Sequence, residues 1–115
     1  MQTTVTKKAL LATVASLWLG LAATNAKAVA IKGGASCGTW VKESKVEGWP
    51  RLVNRSWLMG YLSGLVVESN RDVLRGTDAE SLYLWVDNYC QSNPLKDIDD
   101  AGYILFQELA KQKRL

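Results

Sequence analysis

Residues 7–28, KKALLATVASLWLGLAATNAKA, decide how much of this chain is available for folding and in what surroundings it folds. Lys7 and Lys8 supply a charged start, and Ala9–Ala23 is a largely apolar run of 15 residues. Ala26-Lys27-Ala28 then puts small residues where a signal peptidase cuts. A bilayer core calls for about 20 apolar residues, so the stretch reads as a cleaved export signal rather than a retained transmembrane helix. The mature chain is expected to begin at Val29, or at Ile31 if Ala28 and Ala30 form the small-residue pair used. Removing residues 1–28 from 115 leaves 87, which is one small domain over residues 29–115. A core of that size sits near the limit at which added restraint is needed.

The export signal also carries the basic character of the chain. It holds three of the 14 basic residues (Lys7, Lys8, Lys27) and none of the 11 acidic ones, so the mature domain has 11 of each. A net charge near zero argues against nucleic acid or an anionic membrane surface as partner. Cys37 and Cys90 are the only cysteines, and both survive processing. In an oxidising compartment an even pair is most simply a disulfide, stabilising the fold by about 4 kcal/mol through chain entropy. Two free thiols or a redox pair is the competing reading, and the absence of Cys-x-x-Cys spacing weighs against it.

Along the mature chain, Val29–Ser36 contains Gly33 and Gly34 and reads as a flexible lead-in. Cys37–Lys45 predicts one or two helical turns carrying Trp40 and Val41, and Gly48-Trp49-Pro50 breaks the pattern. Leu52–Ser69 predicts a helix, with Trp57, Tyr61, Leu62, Leu65 and Val66 at the spacing of a buried stripe. Gly60 and Gly64 lie within it, with Ser56 and Ser63 on roughly the same side. Each glycine costs about 1 kcal/mol relative to alanine inside a helix, so some close approach is expected to offset it. Tight packing within the molecule is the favoured reading, and a symmetric dimer contact is the alternative. A membrane-type G-x-x-x-G contact needs a longer apolar run than Glu68, Asn70 and Arg71 allow.

Thr77-Asp78-Ala79-Glu80 matches a capping box with Thr77 as N-cap, opening a helix to about Ser92. Its stripe is Leu82, Trp85, Val86 and Tyr89, with Cys90 at the edge. Asn93 and Pro94 predict the N-cap and first position of a last helix, with Leu95, Ile98, Ala101, Gly102, Leu105 and Leu109 as its apolar face. Asp97, Asp99 and Asp100 suit the start of that helix, and Lys111, Lys113 and Arg114 suit its end. No useful β-alternation occurs. The expected fold is all-α, a compact bundle of three main helices plus a short N-terminal helix, held by one disulfide.

Catalytic vocabulary is scarce. The chain has no histidine, which excludes Ser-His-Asp and Cys-His sites and the commonest zinc ligand sets. Neither a G-x-x-x-x-G-K-[ST] nor a G-x-G-x-x-G loop is present. Asp87, Asp97, Asp99 and Asp100 offer carboxylates for acid–base work or calcium, yet the last three read better as helix-start charge and lack EF-hand spacing. Asn54-Arg55-Ser56 is formally a glycosylation sequon within a helix. The expectation is a non-enzyme without metal or cofactor. Trp57, Trp85, Tyr61 and Tyr89 belong to inner stripes, whereas Trp49 and Tyr83 do not and are the candidate partner surface.

Three stretches together resemble a known group. They are Cys37 with Trp40; Trp57-Leu-Met-Gly-Tyr61-Leu-Ser-Gly64; and Leu84-Trp-Val-Asp-Asn-Tyr-Cys90-Gln-Ser-Asn-Pro94-Leu, continuing to Gln107-Glu-Leu109. The chain is similar to small periplasmic helical proteins that include the HdeA/HdeB acid-stress chaperones and, more loosely, the Rap/Tai immunity proteins. The resemblance implies a bacterial periplasmic setting and a protein partner, either unfolding clients or a cognate effector, bound by a monomer or homodimer. An accessory role in an envelope secretion or conjugation apparatus is a third implication of the same kind.

Overall fold

The computed structural model describes residues 30–115; the export signal proposed for residues 1–28 lies outside the described residues. Among the described residues there are four helices and no strands. They are α1 (Cys37–Ser44), α2 (Trp49–Ser69), α3 (Ala79–Ser92) and α4 (Ile98–Lys113). Ile31–Leu115 forms one compact unit in which α1 packs on α2 and α3, while α4 packs on the same two helices from the other side. The fold is therefore the expected all-α bundle of three main helices and a short leading one.

Heptad-like spacing of apolar residues builds the core. Trp40 of α1, Leu58 and Leu62 of α2, Leu82 and Val86 of α3, and Ile98, Ala101 and Leu105 of α4 are all buried. Val73, in the loop between α2 and α3, closes one side. Cys37 and Cys90 are bonded, 53 residues apart in sequence with Cα atoms 4.7 Å apart, and both are fully buried. The bond fastens α1, too short to be stable alone, to the end of α3.

The segment before α1 is not the flexible lead-in its glycines suggest. Ile98 N–H donates to Ala35 O at 3.0 Å and Cys37 N–H to Lys96 O at 2.8 Å, an isolated antiparallel bridge centred on Ser36 and Asp97. Trp57 lies against the same segment, its indole N–H donating to Lys32 O at 3.2 Å. Gly33 has φ of +88°, and a Cβ there would stand 2.9 Å from the indole nitrogen. Glycine is needed here both for the backbone angle and for the approach of the ring.

Helix starts differ from the sequence expectation at three places. α2 begins at Trp49, because Pro50 sits in its first turn, where a fixed φ and a missing N–H are tolerated. Asp78, not Thr77, caps α3, accepting from Ser81 N–H at 3.1 Å. Thr77 instead donates its hydroxyl to Val73 O at 3.2 Å and receives Lys113 Nζ at 3.0 Å. Asn93 closes α3 rather than opening α4: its backbone N–H reaches Cys90 O and its side-chain amide reaches Tyr89 O. Pro94, Leu95 and Lys96 make a turn, and Leu95 is 98% exposed instead of joining the apolar face. The bridge to Ala35 and Cys37 holds residues 96–98 extended, so α4 waits for Asp97, whose N–H donates to the Asp100 carboxylate at 3.2 Å.

Candidate protein interface

Chemistry-bearing side chains are distributed as structural ties. Asp87 accepts the indole N–H of buried Trp40 at 2.6 Å, joining α1 to α3. Glu108 accepts from Trp85 at 3.1 Å, joining α3 to α4. Asn54 donates to Glu43 across α1 and α2, so the residue of the formal sequon is engaged within the fold. Arg55 reaches Glu80 at 3.4 Å across α2 and α3. Among the described residues, every side-chain hydrogen bond from one helix to another thus ends on a carboxylate. The carboxylates of Asp97, Asp99 and Asp100 come within 4.8 Å of one another. Their place in the first turn of α4 accounts for them as charges favourable to the helix dipole.

The aromatic residues sort into pairs. Trp57 stacks on Tyr61 with centroids 5.2 Å apart, and Trp85 stacks on Tyr89 at 5.5 Å. Both pairs are half-buried flanks of the core rather than its centre. Burial and the nearby carboxylates of Asp99 and Asp100 push the Tyr61 hydroxyl above its ordinary value, with Tyr103 adding to the effect. Tyr83 packs against the core with the Arg55 guanidinium 4.3 Å above its ring, so it is not a free aromatic. Of the two candidate partner residues only Trp49 is open, at 73% exposure.

The glycines of α2 are the main correction. A Cβ added at Gly60 or Gly64 meets no described atom within 4 Å, so neither serves tight packing within the molecule. That role falls to Gly102 of α4, where a Cβ would stand 2.8 Å from Tyr61 and 3.3 Å from Leu58. Gly60 and Gly64 instead lie on an outward face with Ser56 and Ser63, continued at its ends by Trp49, Leu52, Val53 and Val67. At 100° per residue these eight positions fall within an arc of about 120° running the length of the helix. All are exposed and none is charged. Val67 is 82% exposed and Leu52 55%.

Two grooves border the face. One, of about 230 Å³, is lined by Lys42, Glu43, Val46, Glu47 and Pro50 at the start of α2. The other, of about 340 Å³, runs past Gly60 between Ile31, Lys32, Trp57 and Tyr61. Leu52, Val53 and Val67 are the members of this face missed by a search for aromatic anchors. A helical projection of residues 49–69 alone would have found them, because the charged Arg51, Arg55 and Glu68 all fall outside the arc.

An uncharged face on a rigid frame can bind another protein surface but offers no nucleophile, acid–base pair or cradle for a cofactor. Among the described residues no helix is long and apolar enough to cross a membrane. No family model matches the chain, and no curated protein or solved structure does either.

Proposed function

We propose that this chain is a non-catalytic, disulfide-stapled protein-binding protein of the bacterial periplasm, acting in the manner of the HdeA/HdeB acid-stress chaperones that it resembles. The observation that carries a binding role is the uncharged outward face of α2, since soluble proteins rarely leave a contiguous apolar face without a partner. The acid-stress form of that role is supported by the ties between helices, which all end on carboxylates. Protonation weakens those ties together, because a charged acceptor makes the stronger hydrogen bond. It also leaves the basic side chains of a near-neutral domain uncompensated, and their repulsion loosens the bundle.

The test is light scattering from a client protein driven to aggregate at strongly acidic pH. Wild-type protein suppresses the signal, and a variant with Trp49→Ser and Val67→Ser suppresses it less. Unchanged scattering with the wild type overturns the chaperone role. Because the α2 face is already formed in the folded domain, a cognate effector bound at neutral pH is the second reading. That reading predicts one tight stoichiometric complex and no acid protection.

A further inference from the structure

We infer that the outward face of α2 closes on the same face of a second copy, the two helices running antiparallel about a two-fold axis beside position 58. The inference rests on reading this face as a protein interface, and it names the occupant. The eight uncharged, exposed positions pair with one another about that point. Leu52 of one copy meets Gly64 of the other, Val53 meets Ser63, Ser56 meets Gly60, and Trp49 at one end meets Val67. Large side chains therefore oppose small ones along most of the seam. A parallel pair would set Trp49 on Trp49 and Leu52 on Leu52, leaving a gap between facing glycines.

Small residues at the crossing let the two backbones approach, which offsets the helix propensity lost at Gly60 and Gly64. Ser63 enters such a contact without a stranded donor, because its hydroxyl already donates to Met59 O at 2.7 Å. Area limits the strength. A 21-residue helix is about 31 Å long and about 10 Å across, or about 300 Å² per copy. A standard interface takes about 800 Å² per partner. The groove at Val46 and Pro50 and the groove at Ile31, Trp57 and Tyr61 adjoin the seam and enlarge the footprint. A contact of this size and character gives a reversible dimer rather than an obligate one.

The test is sedimentation of protein recovered from the envelope, its N-terminus fixed by mass spectrometry, across the micromolar concentration range. The expected result is a shift from monomer to dimer mass with rising concentration. Gly60→Glu and Gly64→Leu should each weaken the dimer about tenfold or more. Neither substitution meets a described atom near its Cβ, and an unchanged helical circular dichroism spectrum verifies that the monomer fold is kept. Spin labels on Val67→Cys should lie about 27 Å apart along the helix axes in the antiparallel pair, against about 10 Å between parallel neighbours.

A monomer at every concentration, a short label separation, or a dimer untouched by both substitutions overturns the inference. If a monomeric protein with a benzophenone at position 49 still captures another protein in the envelope, the second copy is wrong and the interface reading stands. Capture by the chain's own residues 1–29 overturns the second copy as well. If the protein is monomeric and nothing is captured, both fall.

Discussion

A methyl group added at Gly102 would stand 2.8 Å from Cδ1 of Tyr61 and 3.0 Å from Cε1, atoms held by the stack on Trp57. Overpacking there outweighs the gain in helix propensity, and Gly102→Ala should lower stability by about 1–2 kcal/mol. Gly60→Ala and Gly64→Ala should instead raise monomer stability by up to about 1 kcal/mol each, since nothing described opposes the new atom. Urea titration at low protein concentration separates these outcomes. Tyr61 also sets an alkaline limit. Its hydroxyl is raised in the folded state, so its contribution is complete below the ordinary tyrosine range near 10 and is lost as pH rises through the folded value. Tyr61→Phe should remove that part of the alkaline loss, read as the difference between the pH–stability curves of the two proteins. These residue-scale facts were only partly legible in the sequence. Glycines at 60, 64 and 102 all sit near apolar helical positions, and which one touches a neighbour depends on the rotation of each helix about its axis.

At the scale of elements, the apolar periodicity of residues 52–69, 79–92 and 98–113 identified three helices, because burying one face of a helix demands that spacing. Their starts were less legible. Asn93 and Pro94 form a favourable local start signal, yet the bridge from Ala35 and Cys37 to residues 96–98 requires extended backbone there. A contact across some sixty residues of sequence therefore overrides a local preference. The same bridge and the Cys37–Cys90 bond hold α1 in place. Reduction, or Cys37→Ser with Cys90→Ser, should cost about 4 kcal/mol by loop entropy. Hydrogen exchange should find α1 amides exposed first, while α2 and α4 retain protection. Uniform loss of protection across all four helices would show that the bond does not act on α1 in particular.

For the whole molecule, the near balance of 11 basic and 11 acidic groups in residues 29–115 ties stability to the ionisation of the carboxylates. Acid titration followed by near-ultraviolet circular dichroism should show the environments of Trp40 and Trp85 loosening together, because both indoles donate to carboxylates. The disulfide should remain closed throughout. Loosening of one environment alone would contradict the shared dependence on carboxylate ties. Sequence was most informative at this scale about what chemistry is missing, and least informative about surface. Trp49 and Tyr83 look equivalent as aromatics outside the stripes, and only the fold places Arg55 over one and leaves the other open.

The central claim is that the outward face of α2 is where this domain meets other protein. Photo-cross-linking in the intact envelope tests it most directly, with a benzophenone amino acid placed singly at Trp49, Val67 or, as a control, exposed Leu84 on α3. Protein adducts should form from positions 49 and 67 and not from 84. Adducts from 84 alone, or from none of the three, would contradict the account.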